Sequence, residues 1–180
     1  AWMTEEIRKK TWDTYGPGSA QEPGGDYGSS EFAAKFPRMT RQIDSLEAYK
    51  KWIDGYDTGI SYADHHAGML LDKLKQLKVY DDTLIILSSD HGENQGELSV
   101  YGDHATADHV TNRVPMIVRM PAGQAVRNGD DRALHYQFDV FATILEAAGG
   151  KVPAGWDARS FLPSFRENKE QGRDYLVLSN

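Results

Sequence analysis

The sequence of 180 residues contains no cysteine, and several other features are missing from it. Without cysteine, the chain has neither a thiol nucleophile nor a cysteine-ligated zinc site, and disulfides give no information on its compartment. No apolar run approaches the roughly 20 residues that a membrane-spanning helix needs, so no contact with a membrane is expected. The net charge is −7, and Lys and Arg are not clustered, which argues against a nucleic-acid partner.

The remaining composition is typical of a globular protein, with 39% hydrophobic and 26% charged residues. Residues 2–13 are compatible with a short helix, and residues 15–30 are rich in Gly, Pro and Ser, which predicts a long surface loop. From residue 46 to residue 77, apolar side chains recur every three or four positions, which predicts one helix with a buried stripe. Gly55 and Gly59 lie within this pattern and allow a break between them.

Two short apolar runs, residues 83–88 and 114–118, are rich in β-branched side chains and predict strands covered on both faces, as in a parallel sheet. Residues 138–148 have helical spacing and end at Gly149-Gly150, while residues 175–179 predict a final edge strand. The order of these elements predicts a layered α/β fold, with a mostly parallel sheet flanked by helices.

A long polar segment, residues 89–113, separates the two predicted strands, and such segments at strand ends often carry function. It begins with Asp90-His91-Gly92. Asp offers a hard anionic oxygen and His a neutral nitrogen, so the two side chains are candidate ligands of one divalent ion. The alternative is that Asp90 caps a local turn and His91 is an ordinary surface side chain.

Several short motifs follow one another between residues 45 and 165. They include Tyr56-x3-Ile60-x-Tyr62-x-Asp64, Ser89-Asp90-His91-Gly92-Glu93, Arg113-Val114-Pro115 and Asp139-x3-Thr143-Ile144-Leu145. Their order resembles that of the sulfatases of the alkaline phosphatase superfamily. The resemblance implies an alkaline phosphatase/sulfatase-like partial domain over residues 1–180. This domain would be the C-terminal portion of a catalytic domain, truncated at the nucleophile side and at the C-terminal subdomain.

In that family, the pair matched by Asp90 and His91 resembles ligands of a single divalent cation, usually calcium. An imidazole ligand leaves magnesium, manganese and zinc as alternatives, because calcium prefers oxygen. The family nucleophile is a formylglycine made within a Cys/Ser-x-Pro-x-Arg motif. This motif does not occur here and is expected in the N-terminal half, outside this chain.

Relatives commonly place a Lys against the sulfate, before the Arg-Val-Pro motif, yet no Lys occurs between Lys78 and Lys151. His104 or His109 is expected to take this catalytic place, either contacting sulfate or protonating the leaving group. The alternative is that both only order the loop through their acidic neighbours. Arg113 is expected either to bind substrate alongside His104 or to anchor the loop to the next strand.

The resemblance implies a sulfuric ester hydrolase that acts on a small-molecule or glycan sulfate ester, in a periplasmic or extracellular location, and this chain alone is expected to be inactive. A phosphodiesterase or phosphonate monoester hydrolase of the same superfamily is the alternative enzyme. A non-catalytic, metal-binding remnant is the alternative that involves no enzyme.

Overall fold

A computed structural model describes residues 4–16, 29–38, 40–124, 128–167 and 171–178. They form two compact units, the first drawn from residues 1–80 and 91–116 and the second from residues 81–90 and 117–179. Most of the predicted loop at residues 15–30 lies outside the described residues. Among those that are described, no helix is both long enough and apolar enough to cross a membrane.

The first unit contains four α-helices and one small sheet among its described residues. The helices are α1 (Glu5–Tyr15), α2 (Ser30–Lys35), α3 (Leu46–Gln76) and α4 (His109–Asn112), and the strands are β2 (Asn94–Gln95) and β3 (Tyr101–Asp103). The strands β2 and β3 pair in an antiparallel sense. The segment predicted as one long polar loop therefore contains two strands and a helix.

The N-terminal half of α3 carries the core of the first unit. Tyr49 and Ile53 are buried as predicted, and they cluster with Ile43, Trp52 and Tyr101. The Trp52 indole N–H donates to Gln95 Oε1 at 2.7 Å, and the rings of Tyr49 and Tyr101 meet edge to face at 6.2 Å. These contacts hold β2 and β3 against α3.

A buried cation attaches α1 to α3. Arg8 is only 5% exposed, and its guanidinium contacts Asp54 Oδ1 at 2.6 Å and Asp57 Oδ2 at 3.1 Å. The ring of Trp12 packs beside that of Tyr49, with 5.8 Å between the centroids. Helix α1 matches the short helix predicted at residues 2–13, shifted by two or three residues.

Helix α3 is continuous, so the break considered between Gly55 and Gly59 does not occur. The buried stripe, however, does not extend over the whole helix. Ile60, Leu70 and Leu77 are 44%, 70% and 57% exposed, although the spacing predicted them to be buried. The prediction fails here because the described part of the chain supplies no element that covers this half of α3.

The second unit contains β1 (Ile85–Ser88), most of β4 (Met116–Arg119), α5 (Asp139–Ala147) and α6 (Leu162–Arg166). Strands β1 and β4 are hydrogen-bonded neighbours, which confirms both predicted strands. Leu87 and Ile117 are 42% and 63% exposed, so the expectation that these strands are covered on both faces is wrong for this chain. Within the described residues, each of these two strands has only the other as a neighbour, and parts of both faces of the pair are exposed.

Helix α5 occupies the predicted place and ends next to Gly149, whose φ of +83° suits the end of a helix. Helix α5 packs against α6, and its buried residues are Asp139, Ala142 and Thr143. Phe138, Phe141 and Ile144, which mark the apolar face in the sequence, remain exposed. The apolar spacing therefore predicted the position of α5 correctly, but it did not predict which face of the helix is buried.

The predicted edge strand at residues 175–179 is not present in the described residues 175–178. Instead, Arg173 forms an isolated antiparallel bridge with Leu134. Beyond it, the Val177 N–H donates to the Tyr136 hydroxyl at 2.6 Å, and this hydroxyl donates to the Val177 carbonyl at 3.1 Å. A side chain thus satisfies backbone groups that a neighbouring strand would otherwise satisfy.

Candidate functional site

The candidate site begins where β1 ends, at Ser88. The following carbonyl, Ser89 O, accepts a hydrogen bond from the Gln137 amide at 2.5 Å. Asp90 comes next and is exposed. The predicted metal ligand Asp90 is therefore accessible at a strand end, in agreement with its place in the sequence.

Gly92 fixes the turn after His91 by a close approach to α4. Its N–H donates to Thr111 O at 2.8 Å, and a Cβ at this position would lie 2.0 Å from Val110 O. Only a residue without a side chain fits this contact. The glycine is therefore required here for the close contact with α4.

Beyond this turn, three side chains that can bind metals come together: His91, Glu93 and His104. Glu93 Oε2 lies 3.2 Å from His104 Nδ1 and 3.9 Å from His91 Nδ1. The two imidazole rings stack, with centroids 3.8 Å apart and planes inclined by 21°. We call these three residues the His–Glu–His cluster.

Accessibility differs within the His–Glu–His cluster. The Glu93 side chain is 11% exposed, whereas those of His91 and His104 are 41% and 51% exposed. A mostly buried carboxylate therefore lies beneath two imidazoles that can reach solutes. His91 Nδ1 also contacts the backbone carbonyl of Gly92 at 2.8 Å, which helps to fix the orientation of this ring.

Asn94, which follows Glu93 in the chain, forms a hydrogen-bonded network with Thr106 and Asp108. The Asn94 amide donates to Thr106 Oγ1 and to Asp108 Oδ2, both at 2.9 Å, and Asn94 is completely buried. Asp108 also caps α4 by accepting from the N–H groups of Val110 and Thr111 at 2.7 and 3.2 Å. Burial opposes ionisation of Asp108, but these hydrogen bonds outweigh it and lower its pKa to about 2.

The two histidines offered by the sequence occupy different environments. His104 belongs to the His–Glu–His cluster, while His109 is the exposed first residue of α4 and is not part of the cluster. The acidic neighbours serve other partners, because Asp103 accepts from Ala105 N at 2.9 Å and Asp108 caps α4. The loop-ordering alternative therefore does not describe His104, whose partner is Glu93.

Arg113 follows α4 and is exposed, with its backbone N–H donating to His109 O at 3.0 Å. In the described part of the chain, its guanidinium has neither an ion pair nor a side-chain hydrogen bond. The backbone of Arg113 therefore helps to end α4, and its charge is left accessible to an anion.

Glu93 is the member of the cluster to which the sequence assigned no role. It lies two residues after His91, and side chains two apart in extended chain point the same way. This spacing could have identified the pair. His104 lies eleven positions further on, and the antiparallel pairing of β2 with β3 brings it back, which no local pattern shows.

The sequence of this chain is similar to those of known proteins. A model of the sulfatase family matches residues 16–150, well over half of the chain. The multifunctional alkaline phosphatase superfamily protein PehA of Trinickia caryophylli is 35% identical over 111 residues, which are 61% of this chain and 21% of that protein. An ulvan-active sulfatase of Formosa agariphila is 35% identical over 105 residues, covering 58% of this chain and 18% of its own length.

Among solved structures, a phosphonate monoester hydrolase from Silicibacter pomeroyi is 28% identical, with a TM-score of 0.64 over 74% of this chain and 25% of that protein. The chain spans about a fifth of the length of the two curated relatives above. Its fold is the layered α/β fold of the alkaline phosphatase superfamily, present as part of a domain. The chain therefore belongs to the sulfatase family.

Proposed function

We propose that the protein that contains this chain is a sulfuric ester hydrolase that removes sulfate from an organic, carbohydrate-type ester with the help of a divalent cation. The observation that carries the proposal is the accessible His–Glu–His cluster, in a chain of the sulfatase family. The relatives include an ulvan-active sulfatase and an N-acetylglucosamine-6-O-sulfatase, whose names support this substrate class.

The proposal assigns metal binding to Asp90 and His91, catalysis to His104 and His109, and substrate binding to His104 and Arg113. Glu93 Oε2 contacts His104 Nδ1 at 3.2 Å, and this contact orients the imidazole. A cationic imidazole can donate to a sulfate oxygen or to the departing alcohol. Arg113 adds a positive charge for the same anion.

Sulfatases generally use a divalent metal, and the resemblance favours calcium. Calcium takes six to eight oxygen ligands, whereas two of the three donors in the His–Glu–His cluster are nitrogens. These residues do not fit calcium on their own, so a calcium site would require oxygen ligands from outside the chain. The formylglycine nucleophile is likewise proposed to lie outside it, with residues 1–180 forming the C-terminal part of the catalytic domain.

A phosphonate monoester hydrolase is the second candidate, favoured by the structural similarity to the Silicibacter pomeroyi enzyme. A metal-binding protein that no longer catalyses a reaction is the third candidate. A periplasmic or extracellular location is proposed with the sulfatase function, and it is supported by one relative that is named an extracellular sulfatase.

The test compares turnover of an aryl sulfate, a sulfated monosaccharide and an aryl phosphonate monoester by the full-length protein. Sulfate release should dominate, and His104→Ala should lower kcat by about 10²–10⁴-fold, the usual range for a lost general acid or base. The matched control is His66→Ala on α3, which should leave kcat unchanged. Preferred turnover of the phosphonate would establish the second candidate, and no turnover of any ester would favour the remnant.

A further inference from the structure

We propose that Lys35, Phe36, Arg38 and Arg41 form a surface that binds a sulfated polysaccharide chain. We call these four residues the basic segment. The choice of a sulfated glycan as the partner rests on the proposed function, whereas the binding surface itself rests on the charge and the exposure of these side chains. None of the four residues belongs to the candidate site described above.

The basic segment has a charge opposite to that of the chain as a whole. Residues 32–43 contain three cations and no acidic residue, although the chain has 27 acidic and 20 basic residues and a net charge of −7. Three residues of extended chain span at most roughly 10–11 Å, so successive cations of the segment lie about one Debye length apart at physiological salt. The segment can therefore attract a polyanion that the net charge of the chain would repel.

The charges of the basic segment are accessible to a partner. Arg38 lies in the turn that follows α2, Arg41 lies two residues before Ile43, and both arginines are exposed. In the described part of the chain, neither guanidinium has an ion pair or a side-chain hydrogen bond. Lys35 pairs with Glu31 at 3.0 Å, but the two side chains are 65% and 82% exposed. Such an exposed pair is weak, so a bound anion can replace Glu31.

The side chains of the basic segment suit sulfate groups carried on sugar rings. The planar guanidinium of arginine presents a rigid set of N–H donors that matches the oxygens of phosphate, and a sulfate ester presents oxygens in a similar arrangement. Phe36 is 51% exposed and lies between Lys35 and Pro37. An exposed aromatic ring beside cations can pack against the apolar face of a sugar. A sulfated glycan therefore uses all four side chains, whereas an inorganic anion uses only the cations.

The fold restrains the backbone at both ends of the basic segment. Lys35 is the last residue of α2, and Ile43 is fully buried in the core of the first unit. Pro37 fixes one backbone dihedral angle in the turn between them. A restrained segment loses less conformational freedom when it binds a long partner, which favours binding.

A nucleic acid is the competing polyanion. Nucleic-acid-binding domains commonly carry a basic patch in a chain of positive net charge, whereas this chain has a net charge of −7 and a single short basic segment of three cations. We therefore favour the sulfated glycan, and the experiment includes a DNA duplex as a competitor.

The experiment measures binding of the full-length protein to immobilised dextran sulfate, with uncharged dextran of the same length as the reference. Binding should be specific to dextran sulfate and should weaken as the salt concentration rises from about 50 to 200 mM, because salt screens exposed charges. Arg38→Ala/Arg41→Ala should weaken binding about tenfold or more, since a hydrogen bond to a charged group contributes at least about that factor. Phe36→Ala should weaken it about threefold.

Two further double variants separate local charge from net charge and from structure. Lys10→Ala/Lys73→Ala removes two exposed cations of α1 and α3, and it should leave dextran sulfate binding within twofold. Arg38→Lys/Arg41→Lys keeps both charges and should bind more tightly than the double alanine variant. Far-UV circular dichroism checks that each variant is folded, and Arg38→Gln/Arg41→Gln replaces the alanine pair if that pair does not fold. The kcat and KM for an aryl sulfate should stay within twofold in the double alanine variant.

The proposal is overturned if dextran sulfate binds no better than dextran, if a DNA duplex of similar length binds as tightly, or if Arg38→Ala/Arg41→Ala binds like Lys10→Ala/Lys73→Ala. A lysine pair as weak as the alanine pair would also overturn it. Failure of the proposed function gives a different result. In that case no ester is turned over, and the binding comparison still decides whether the basic segment recognises a sulfated polymer.

Discussion

Arg173 and Asp139 form a two-pronged ion pair at the start of α5. Arg173 Nη2 donates to Asp139 Oδ1 at 2.9 Å, and Nη1 contacts Oδ2. The Asp139 side chain is fully buried and that of Arg173 is 10% exposed. Asp139 also accepts from the N–H groups of Tyr136 and Arg159, so one carboxylate joins α5 to two loops and to the C-terminal segment.

Removing one partner of this pair should strongly destabilise the second unit. Arg173→Met leaves the Asp139 carboxylate buried without its counter-ion, and we expect the free energy of unfolding to fall by about 3–5 kcal/mol. Urea denaturation followed by circular dichroism measures this change. The matched control is Arg119→Met, whose partner Asp81 is exposed, and it should cost less than about 1 kcal/mol. Equal effects for the two variants would contradict the role given to Arg173.

Stability should depend on pH through Asp108. The pKa of this side chain is lowered from 3.8 to about 2 in the folded chain, so its ionised form stabilises the fold. That contribution is complete above the unfolded pKa near 4 and is lost as the pH falls towards 2. Thermal unfolding measured from pH 5 to pH 2 should therefore show a steeper loss of stability for the natural sequence than for Asp108→Asn. Parallel curves would rule out this assignment.

Gly92→Ala should disrupt the site, because its Cβ would meet Val110 O at 2.0 Å and α4 would have to move. We expect a loss of about 1–3 kcal/mol, the usual range for overpacking. Gly55→Ala is the matched control, since nothing lies within 4 Å of its Cβ on α3. Alanine there should raise stability by about 0.5–1 kcal/mol. Denaturant midpoints compare the two, and a neutral Gly92→Ala would remove the close-contact argument.

The sequence predicted the positions of those helices and strands that have a clear periodic spacing of apolar residues. Helices α3 and α5 and strands β1 and β4 lie where the apolar spacing placed them, because spacing and chain punctuation act within an element. Burial could not be predicted in this way. Leu70 and Phe141 have core-like spacing but are exposed, because burial depends on which other elements are present to cover a face.

For the candidate site, the order of motifs in the sequence predicted Asp90, His91 and His104, and the structure brings His91 and His104 together. It assigned no role to Glu93, and it left His109 open as an alternative to His104. The pairing of β2 with β3 brings His104 to Glu93, and this pairing lies in a segment whose polar residues carry no strand signal. Two-residue strands are held by tertiary contacts such as Trp52 with Gln95, which no local pattern encodes.

The exposed second half of α3 affects how the stability of this chain varies with temperature. Ile60, Met69, Leu70 and Leu77 are 44–70% exposed in the folded chain, so unfolding adds little new apolar surface at these positions. The heat-capacity increase on unfolding comes mainly from such newly wetted surface, and typical domains show about 12–15 cal/mol/K per residue. This chain should fall below that range. The free energy of unfolding should then vary little with temperature, and it should fall only weakly on cooling.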